Sequence, residues 1–418
     1  MKKFYSVLIW VIIAISLLSC YSASAENAGD VVVSLTINDE MMHVNGEICD
    51  IDEGRDTKPV ILNDRTLVPI RAIIEAFGGL VFWDEDTNTV TLNMEDDVIR
   101  LTINSFTAYL NNYPVTLDVA PKVINDRTML PIRFIAEGFN IGVGWDNDTQ
   151  TVYLVRNSFD ESEYTYLMSI LPEYDGRPYV SLNEGTPFFK SYEKIDCSFE
   201  YYSKLDYLGR CDVCMASVGL DLMPTGERES ISSVMPSGWI NASYDVVSGG
   251  YLYNRCHLIG YQLTGENANE RNLITGTRYL NIEGMLPFEN IIDDYVERTG
   301  NNVVYRATPV FKENNLVADG VLLEAYSAKD KGEGISFCVY CYNVQPDIFI
   351  NYLTGESYQI GEHTSENTEK EPSYSGIYRT PTGKRYHLDP DCGGENSYSV
   401  TYDQAIAAGL TPCKKCAQ

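Results

Sequence analysis

Residues 251–300 read YLYNRCHLIGYQLTGENANERNLITGTRYLNIEGMLPFENIIDDYVERTG, and the order of elements within them governs how the rest of the chain is understood. A β-rich run ends in Asn254-Arg255-Cys256-His257, and a turn-rich excursion follows from Thr264 to Arg271. A second apolar run, residues 272 to 277, leads into a segment where Met285, Phe288, Ile291, Ile292 and Tyr295 recur at helical spacing. Pro287 falls early enough for a first helical turn, where its missing N–H is tolerated. Strand, strand and helix in that order place His257 near the end of a strand and Asn281 near the start of the helix. A base on one side and a carboxamide oxygen on the other suit a hydrated divalent cation between them.

The chain has four histidines, His43, His257, His363 and His387, and only His257 lies between residues 157 and 354. This scarcity excludes a three-histidine zinc site and an H-E-x-x-H protease in that region. A lone histidine is by default a structural residue. Here Arg255 precedes it by two residues, on the same strand face, and Asn272, Asn281 and Glu289 follow. Phosphodiester hydrolysis asks for a base to take a proton from water, a cation to neutralise growing charge, and stabilisation of the leaving oxygen. A neutral imidazole can be the base, and arginine matches phosphate with a planar fork. Each residue also has a plainer reading: Asn272 as a strand-start residue, Asn281 as a helix cap, Glu289 as a solvated helix residue.

On these residues the segment resembles the ββα-metal nucleases, specifically the DNA/RNA non-specific endonuclease family. The likeness covers roughly residues 175 to 354 and is densest from Tyr253 to Phe311. It implies a catalytic set of His257 as general base, Arg255 on the phosphate, Asn272 supporting the site and Glu289 holding a metal-bound water. Asn281, 24 residues beyond His257, takes the position of the direct ligand to Mg2+ or Mn2+. Arg228 is a looser upstream match to a further phosphate contact. Two residues depart from the family's Asp-Arg-Gly-His: Asn254 replaces aspartate and Cys256 replaces glycine. The Cys256 thiol invites a disulfide, for instance with Cys211 or Cys214, or sensitivity to oxidation. Cys211-x-x-Cys214 and Cys338-x-x-Cys341 read as buried thiols or partners in long-range disulfides.

Before this segment the chain duplicates itself. Asn63-Asp64-Arg65-Thr66-Leu67-Val68-Pro69-Ile70-Arg71 returns as Asn125-Asp126-Arg127-Thr128-Met129-Leu130-Pro131-Ile132-Arg133, an offset of 62 residues. Trp83-Asp84 and Trp145-Asp146 keep the same offset. Each unit reads as strand, polar turn, short helix (69 to 77, 131 to 139) and closing hairpin, with proline at the helix start. The pair resembles the stalk domain named after the amino terminus of copper amine oxidases, yet its one histidine, His43, precludes a copper-binding histidine set. A surface spacer or envelope-binding module is one reading and a packing repeat the other. Trp83 and Trp145 read as core anchors rather than sugar platforms.

At 418 residues the chain exceeds one ordinary core. Met1-Lys2-Lys3 and the apolar run from Phe4 to Leu18 form a secretory signal, with Ala23-Ser24-Ala25 as the favoured cleavage site. Leu17-Leu18-Ser19-Cys20 offers a lipobox instead, leaving Cys20 lipidated. No later run is long enough to span a membrane. The protein is therefore expected to be secreted or attached to the cell surface. The net charge of −28 argues against a nucleic-acid partner, unless that charge solvates the accessory regions and cations meet the phosphates.

Residues 355 to 376 lose hydrophobic periodicity and read as a solvated linker that includes His363. Beyond them a unit of about 40 residues, too small for a sufficient core of its own, carries His387, Cys392, Cys413 and Cys416 around a short helix from 402 to 408. One histidine and three thiolates suit a closed zinc site; a disulfide with a spare thiol is the alternative. The unit resembles small zinc-ribbon tails of exported nucleases and competence proteins.

The expected organisation is thus an α+β multidomain chain. It comprises a signal peptide (1–25), a duplicated α+β stalk (31–156), a ββα-metal endonuclease domain with a central antiparallel sheet (157–354), the linker (355–376) and a zinc-binding module (377–418). The expected activity is Mg-dependent hydrolysis of DNA, with RNA as a further substrate. A non-catalytic envelope-binding protein acting through its repeats is the alternative.

Overall fold

The computed structural model describes residues 30–159, 161–361, 377–381, 383–387, 392, 394, 397–400, 405, 410–413, 415 and 416. The expected signal peptide, Cys20, His363 and most of the 402–408 helix lie outside them. The chain divides into two compact units, residues 1–359 and 360–418.

In the repeats, Pro69 and Pro131 sit immediately before the helices Ile70–Ala76 and Ile132–Gly138, with φ of −72° and −70°. Proline's fixed φ suits that entry. Each helix buries one face, Ile70, Ile73 and Ile74 in the first and Ile132, Ile135 and Ala136 in the second, the i, i+3, i+4 pattern of an amphipathic helix. The repeats are not two beads. The opening strands of the first, Val31–Thr36 onward, share a sheet with the closing hairpin of the second, Gly142–Asp146 and Thr151–Arg156. The opening strands of the second pair with the closing hairpin of the first in the same way. Two arginines of the duplicated motif reach across: Arg65 pairs with Asp118 at 2.7 Å and Arg127 with Asp52 at 2.6 Å. Neither repeat can therefore close its core alone.

The two tryptophans differ. Trp145 is half-buried against the repeat core, whereas Trp83 is 42% exposed. Trp83 thus departs from the expected core anchor, because its strand, Leu80–Asp84, is an outer strand of its sheet. The corresponding strand of the second repeat lies against the following domain, where glycines permit close approach. A Cβ at Gly142 would lie 2.6 Å from the Glu200 carbonyl oxygen, and one at Gly144 would lie 3.1 Å from Cys197 Sγ.

The second domain has strands β1 (Tyr179–Ser181), β2 (Phe199–Tyr202), β3 (Cys214–Val218), β4 (Tyr253–His257), β5 (Leu273–Thr277), β6 (Val303–Val310), β7 (Gly320–Ser327) and β8 (Ser336–Tyr342), and helix α1 (Leu286–Thr299). Six form an antiparallel sheet in the order β1-β8-β7-β6-β3-β2. The remaining two, β4 and β5, pair only with each other. On one sheet face, Ala216, Tyr305, Leu323 and Val339 pack with Cys256 and Ile274 of the hairpin and Ile292 and Val296 of α1. Leu167, Leu182 and Tyr340 belong to a separate cluster. With both faces covered, every residue of β6 is buried, Arg306 and Thr308 included. Cys338 and Cys341 fall in different clusters, as i and i+3 on a strand must. All ten described cysteines are free thiols.

Chain order continues past residue 355. Ile348–Ile350 pairs with Ser357–Gln359, and Tyr253 Oη donates to the Gly355 carbonyl at 2.9 Å. The first residues of the stretch expected as linker are thus folded onto the second domain. In the second unit, Ile377–Arg379 pairs with Tyr398–Val400, and Arg385–Tyr386 pairs in parallel with Thr411–Pro412.

One buried ion cluster ties the sheet to the residue that follows the repeats, Asn157. Arg306, 6% exposed, donates to Glu324 at 2.7 Å, Glu193 at 3.1 Å and Asn157 at 3.4 Å. Burial pushes the Glu193 carboxyl up to about 7, against the pull of Arg306. Removing one member of such a cluster strands the others. Arg306→Ala is expected to lower stability by about 3–5 kcal/mol, measured by urea unfolding. Loss within the range of an exposed substitution would show the cluster to be dispensable.

Candidate active site

The β4–β5 ladder pairs His257 with Leu273 and Tyr253 with Thr277. Where it ends, Asn272 takes over. Its Oδ1 accepts from Ile259 N and its Nδ2 donates to Ile259 O, both at 2.9 Å. One fully buried carboxamide thereby imitates a further backbone pairing and fixes the chain just beyond His257. The structure places Asn272 beneath the cleft, not in its lining.

At the other end, Thr277 Oγ1 accepts from Leu280 N at 2.9 Å and starts the helical segment. The helix begins earlier than its apolar spacing suggests. Leu280–Met285 forms a π-helical turn that runs directly into α1, so Pro287 is not in the first turn of the whole segment. The wider turn accommodates a proline that cannot donate to the preceding turn. Asn281 occupies this π turn.

A cleft of about 690 Å³ is lined by His257, Asn281, Glu289, Arg228, Arg255 and Arg278, with Trp239 and Tyr251 among its other walls. His257 Nε2 lies 2.8 Å from the Asn267 carbonyl oxygen. A carbonyl can only accept, so Nε2 carries the proton and Nδ1 bears the lone pair. Nδ1 faces Arg228 Nη2 at 3.2 Å. Burial lowers the His257 pKa to about 4, opposed by the Asn267 carbonyl and aided by the Arg228 charge. The ring is therefore neutral near pH 7.

The loop that supplies Asn267 is itself held by thiols. Cys211 Sγ donates to the Glu270 and Leu273 carbonyls at 3.3 and 3.2 Å, and Cys214 Sγ to the Arg271 carbonyl at 3.3 Å. Arg271 also donates to Asn140 Oδ1 of the second repeat. Neither thiol bridges to Cys256, which is fully buried and donates to Asn281 Oδ1 at 3.1 Å. The residue standing at the family's glycine thus orients the carboxamide, and burial keeps its thiol protonated. A Cβ at Gly276 would lie 2.6 Å from Cys256 Cβ, so the glycine opposite makes room for it.

Glu289, 8% exposed, is hydrogen-bonded by the Gly260 backbone and pushed up to about 8 by burial, with Arg228 pulling the other way. A buried carboxylate with so little compensation, in one cleft with a carboxamide oxygen, fits a hard divalent cation. Arg255 donates to the Val234 and Ser232 carbonyls and stacks 4.2 Å over Trp239. The three arginines make the cleft locally basic within an acidic chain. Sequence reading missed Arg278, Trp239 and Tyr251. Arg278 could have been sought from its place between β5 and Asn281; nothing in the sequence marks the other two.

In the second unit, ligand atoms of His387, Cys392, Cys413 and Cys416 lie within 4.8 Å of one another. Cys392 and Cys413 sulfurs are 3.8 Å apart, and Cys416 Sγ is 3.5 Å from His387 Nδ1. A tetrahedron with metal–sulfur bonds of about 2.3 Å has edges of about 3.8 Å, whereas a disulfide needs about 2.0 Å. Backbone N–H groups of Lys415 and Cys416 lower the Cys413 thiol to about 7. The cluster is compatible with a metal and with a zinc-ribbon-like tail.

Residues 191–329 match the family model of the DNA/RNA non-specific endonucleases, and residues 43–154 match that of the copper amine oxidase N-terminal domain. The chain thus carries a copper amine oxidase N-terminal domain followed by a DNA/RNA non-specific endonuclease domain. Among solved structures it is similar to NucA from Streptococcus agalactiae with magnesium ion bound, at 22% identity, over 48% of this chain and 97% of that one, with a TM-score of 0.41. It is also similar to the Sda1 nuclease with bound zinc ion, at 25% identity, over 44% and 97%, with a TM-score of 0.38. No curated protein matches the chain. No helix among the described residues is long and apolar enough to cross a membrane.

Because Asn272 satisfies a buried N–H and C=O together, Asn272→Ala is expected to lower stability by about 1–3 kcal/mol and to reduce nicking of supercoiled plasmid. Wild-type melting and wild-type nicking would contradict its assigned place.

Proposed function

We propose that the protein is an exported, magnesium-dependent endonuclease that hydrolyses phosphodiester bonds of DNA, and of RNA where it meets it. The observation that carries this reading is the single bond between His257 Nε2 and the Asn267 carbonyl. It leaves Nδ1 unprotonated toward a cleft that also holds a carboxamide oxygen, a buried carboxylate and three guanidiniums. His257 takes a proton from the attacking water at Nδ1. Arg228, against that nitrogen, disfavours its protonation at rest and orients the phosphate. Arg255 meets the phosphate from the loop side. Cys256 holds the Asn281 carboxamide in place from beneath. A Mg2+ or Mn2+ ion held by Asn281, with Glu289 binding one of its waters, would neutralise charge on the phosphate and the leaving oxygen.

The tail is proposed to bind a structural zinc through His387, Cys392, Cys413 and Cys416. The repeats are proposed to contact the cell envelope. Leu80, Phe82 and Trp83, at 59, 51 and 42% exposure on an outer strand, support that role. Export rests on the amino-terminal signal, with lipidation at Cys20 as its variant.

Plasmid nicking with magnesium is expected to stop on addition of EDTA and in His257→Ala, whose melting temperature stays near wild type. Nicking that survives both would refute the mechanism and leave the envelope-binding alternative. A base with a pKa near 4 is already unprotonated at pH 5.5. The acidic limb of kcat/KM, at saturating magnesium, should therefore fall near pH 4 rather than near the ordinary imidazole value of about 6.5. An acidic limb at that ordinary value would show that His257 is not the buried base. Elemental analysis should find one zinc per chain, lost in Cys413→Ser; a zinc-free native tail would point to thiols alone.

A further inference from the structure

We propose that Arg278 and Asn254 form a second phosphate-binding subsite at the far end of the β4–β5 hairpin, which holds a phosphate neighbouring the scissile one. The inference rests on the endonuclease reading and adds a substrate contact to it. Arg278 follows β5 directly, and its backbone N–H donates to the Leu252 carbonyl at 2.7 Å. Its guanidinium lines the cleft. Its one side-chain hydrogen bond among the described residues, Nη1 to Asn254 Oδ1, is long at 3.4 Å. Arg278 Nε and Asn254 Nδ2 are both buried without a partner. Two unmet donors side by side form a site for an anion, because each buried polar group left unpaired is costly and an oxygen-rich ligand satisfies both.

The other cleft arginines are more committed. Arg255 donates to two carbonyls and stacks on Trp239, and Arg228 lies against His257. No acidic side chain among the described residues forms a salt bridge to Arg278, although the chain carries 59 acidic residues. Asn254 explains why the charge stays available. An aspartate there would place a carboxylate where the carboxamide oxygen now sits and neutralise the guanidinium. Asn254 is three strand residues from His257, a span of about 10 Å at about 3.3 Å per residue. One phosphodiester cannot occupy both ends, so the subsite reads a second phosphate and favours substrates long enough to reach it.

The test measures binding of a fluorescein-labelled DNA oligonucleotide to the full chain carrying His257→Ala, in magnesium, across a salt series. Adding Arg278→Ala should weaken binding about tenfold and reduce the slope of log K against log salt by about 1. Asn254→Asp should produce the same loss with the arginine present, and Asn254→Asp with Arg278→Ala should be no weaker than Arg278→Ala alone. Arg278→Lys, which keeps charge but loses the fork, should fall between, with all variants melting as the parent does. Unchanged affinity and slope in Arg278→Ala, or additive losses in the double variant, would overturn the subsite. If the native protein fails to nick plasmid while Arg278→Ala still lowers the slope, the hydrolytic reading fails and the subsite stands. If the native protein nicks and Arg278→Ala binds like its parent, the subsite alone fails.

Discussion

The site depends on one hydrogen bond, from His257 Nε2 to a backbone carbonyl. A free imidazole can place its proton on either nitrogen, and its charge changes near neutrality. In this protein the Asn267 carbonyl settles which nitrogen is protonated, while burial lowers the ring's pKa to about 4. The carbonyl by itself favours a charged ring, but burial outweighs it, leaving a neutral ring whose lone pair lies at Nδ1. The bond is only as reliable as the loop that carries Asn267. That loop is secured by two thiols of β3 and its approach, by the buried carboxamide of Asn272, and by a contact from the repeat domain.

Cysteine does unusual service in this arrangement. Cys211, Cys214 and Cys256 are free thiols, each a buried, protonated donor to an oxygen that must hold its position. Desolvation keeps all three thiols protonated. A buried neutral thiol is poorly nucleophilic, so an oxidising environment need not threaten the site. The tail uses the same residue type oppositely: its sulfurs converge, and backbone donors lower the Cys413 thiol toward the thiolate.

Charge is partitioned in a way that net composition conceals. A chain at −28 would seem to repel a polyanion, yet the cleft presents three guanidiniums beside one buried carboxylate. Exposed acidic side chains are screened beyond about 8–10 Å at physiological salt, whereas groups inside a cleft act at short range. The repeat domain is built on a related economy of contacts. Its two halves exchange strands, and the outer strand of the second half lies against the endonuclease domain, leaving the matching strand of the first half, with Trp83, open to solvent.

Much of this was legible in the order of residues. Periodicity and proline placed the repeat helices to within a residue, because a local pattern of buried positions and a fixed φ suffice to start a short helix. The strand–strand–helix order came from the apolar runs and their spacing, and the shortlist of His257, Arg255, Asn272, Asn281 and Glu289 from the resemblance to the endonuclease family. What remained hidden was whatever depends on partners distant in the chain: the carbonyl that sets the His257 tautomer, the pairing of Arg278 with Asn254, the different fates of Trp83 and Trp145, and the thiols acting as donors. Sequence by itself determined which local elements form and which chemical groups they carry. Only the tertiary structure decided which groups are desolvated and against what, because burial and hydrogen bonding are properties of the assembled neighbourhood and not of any one segment.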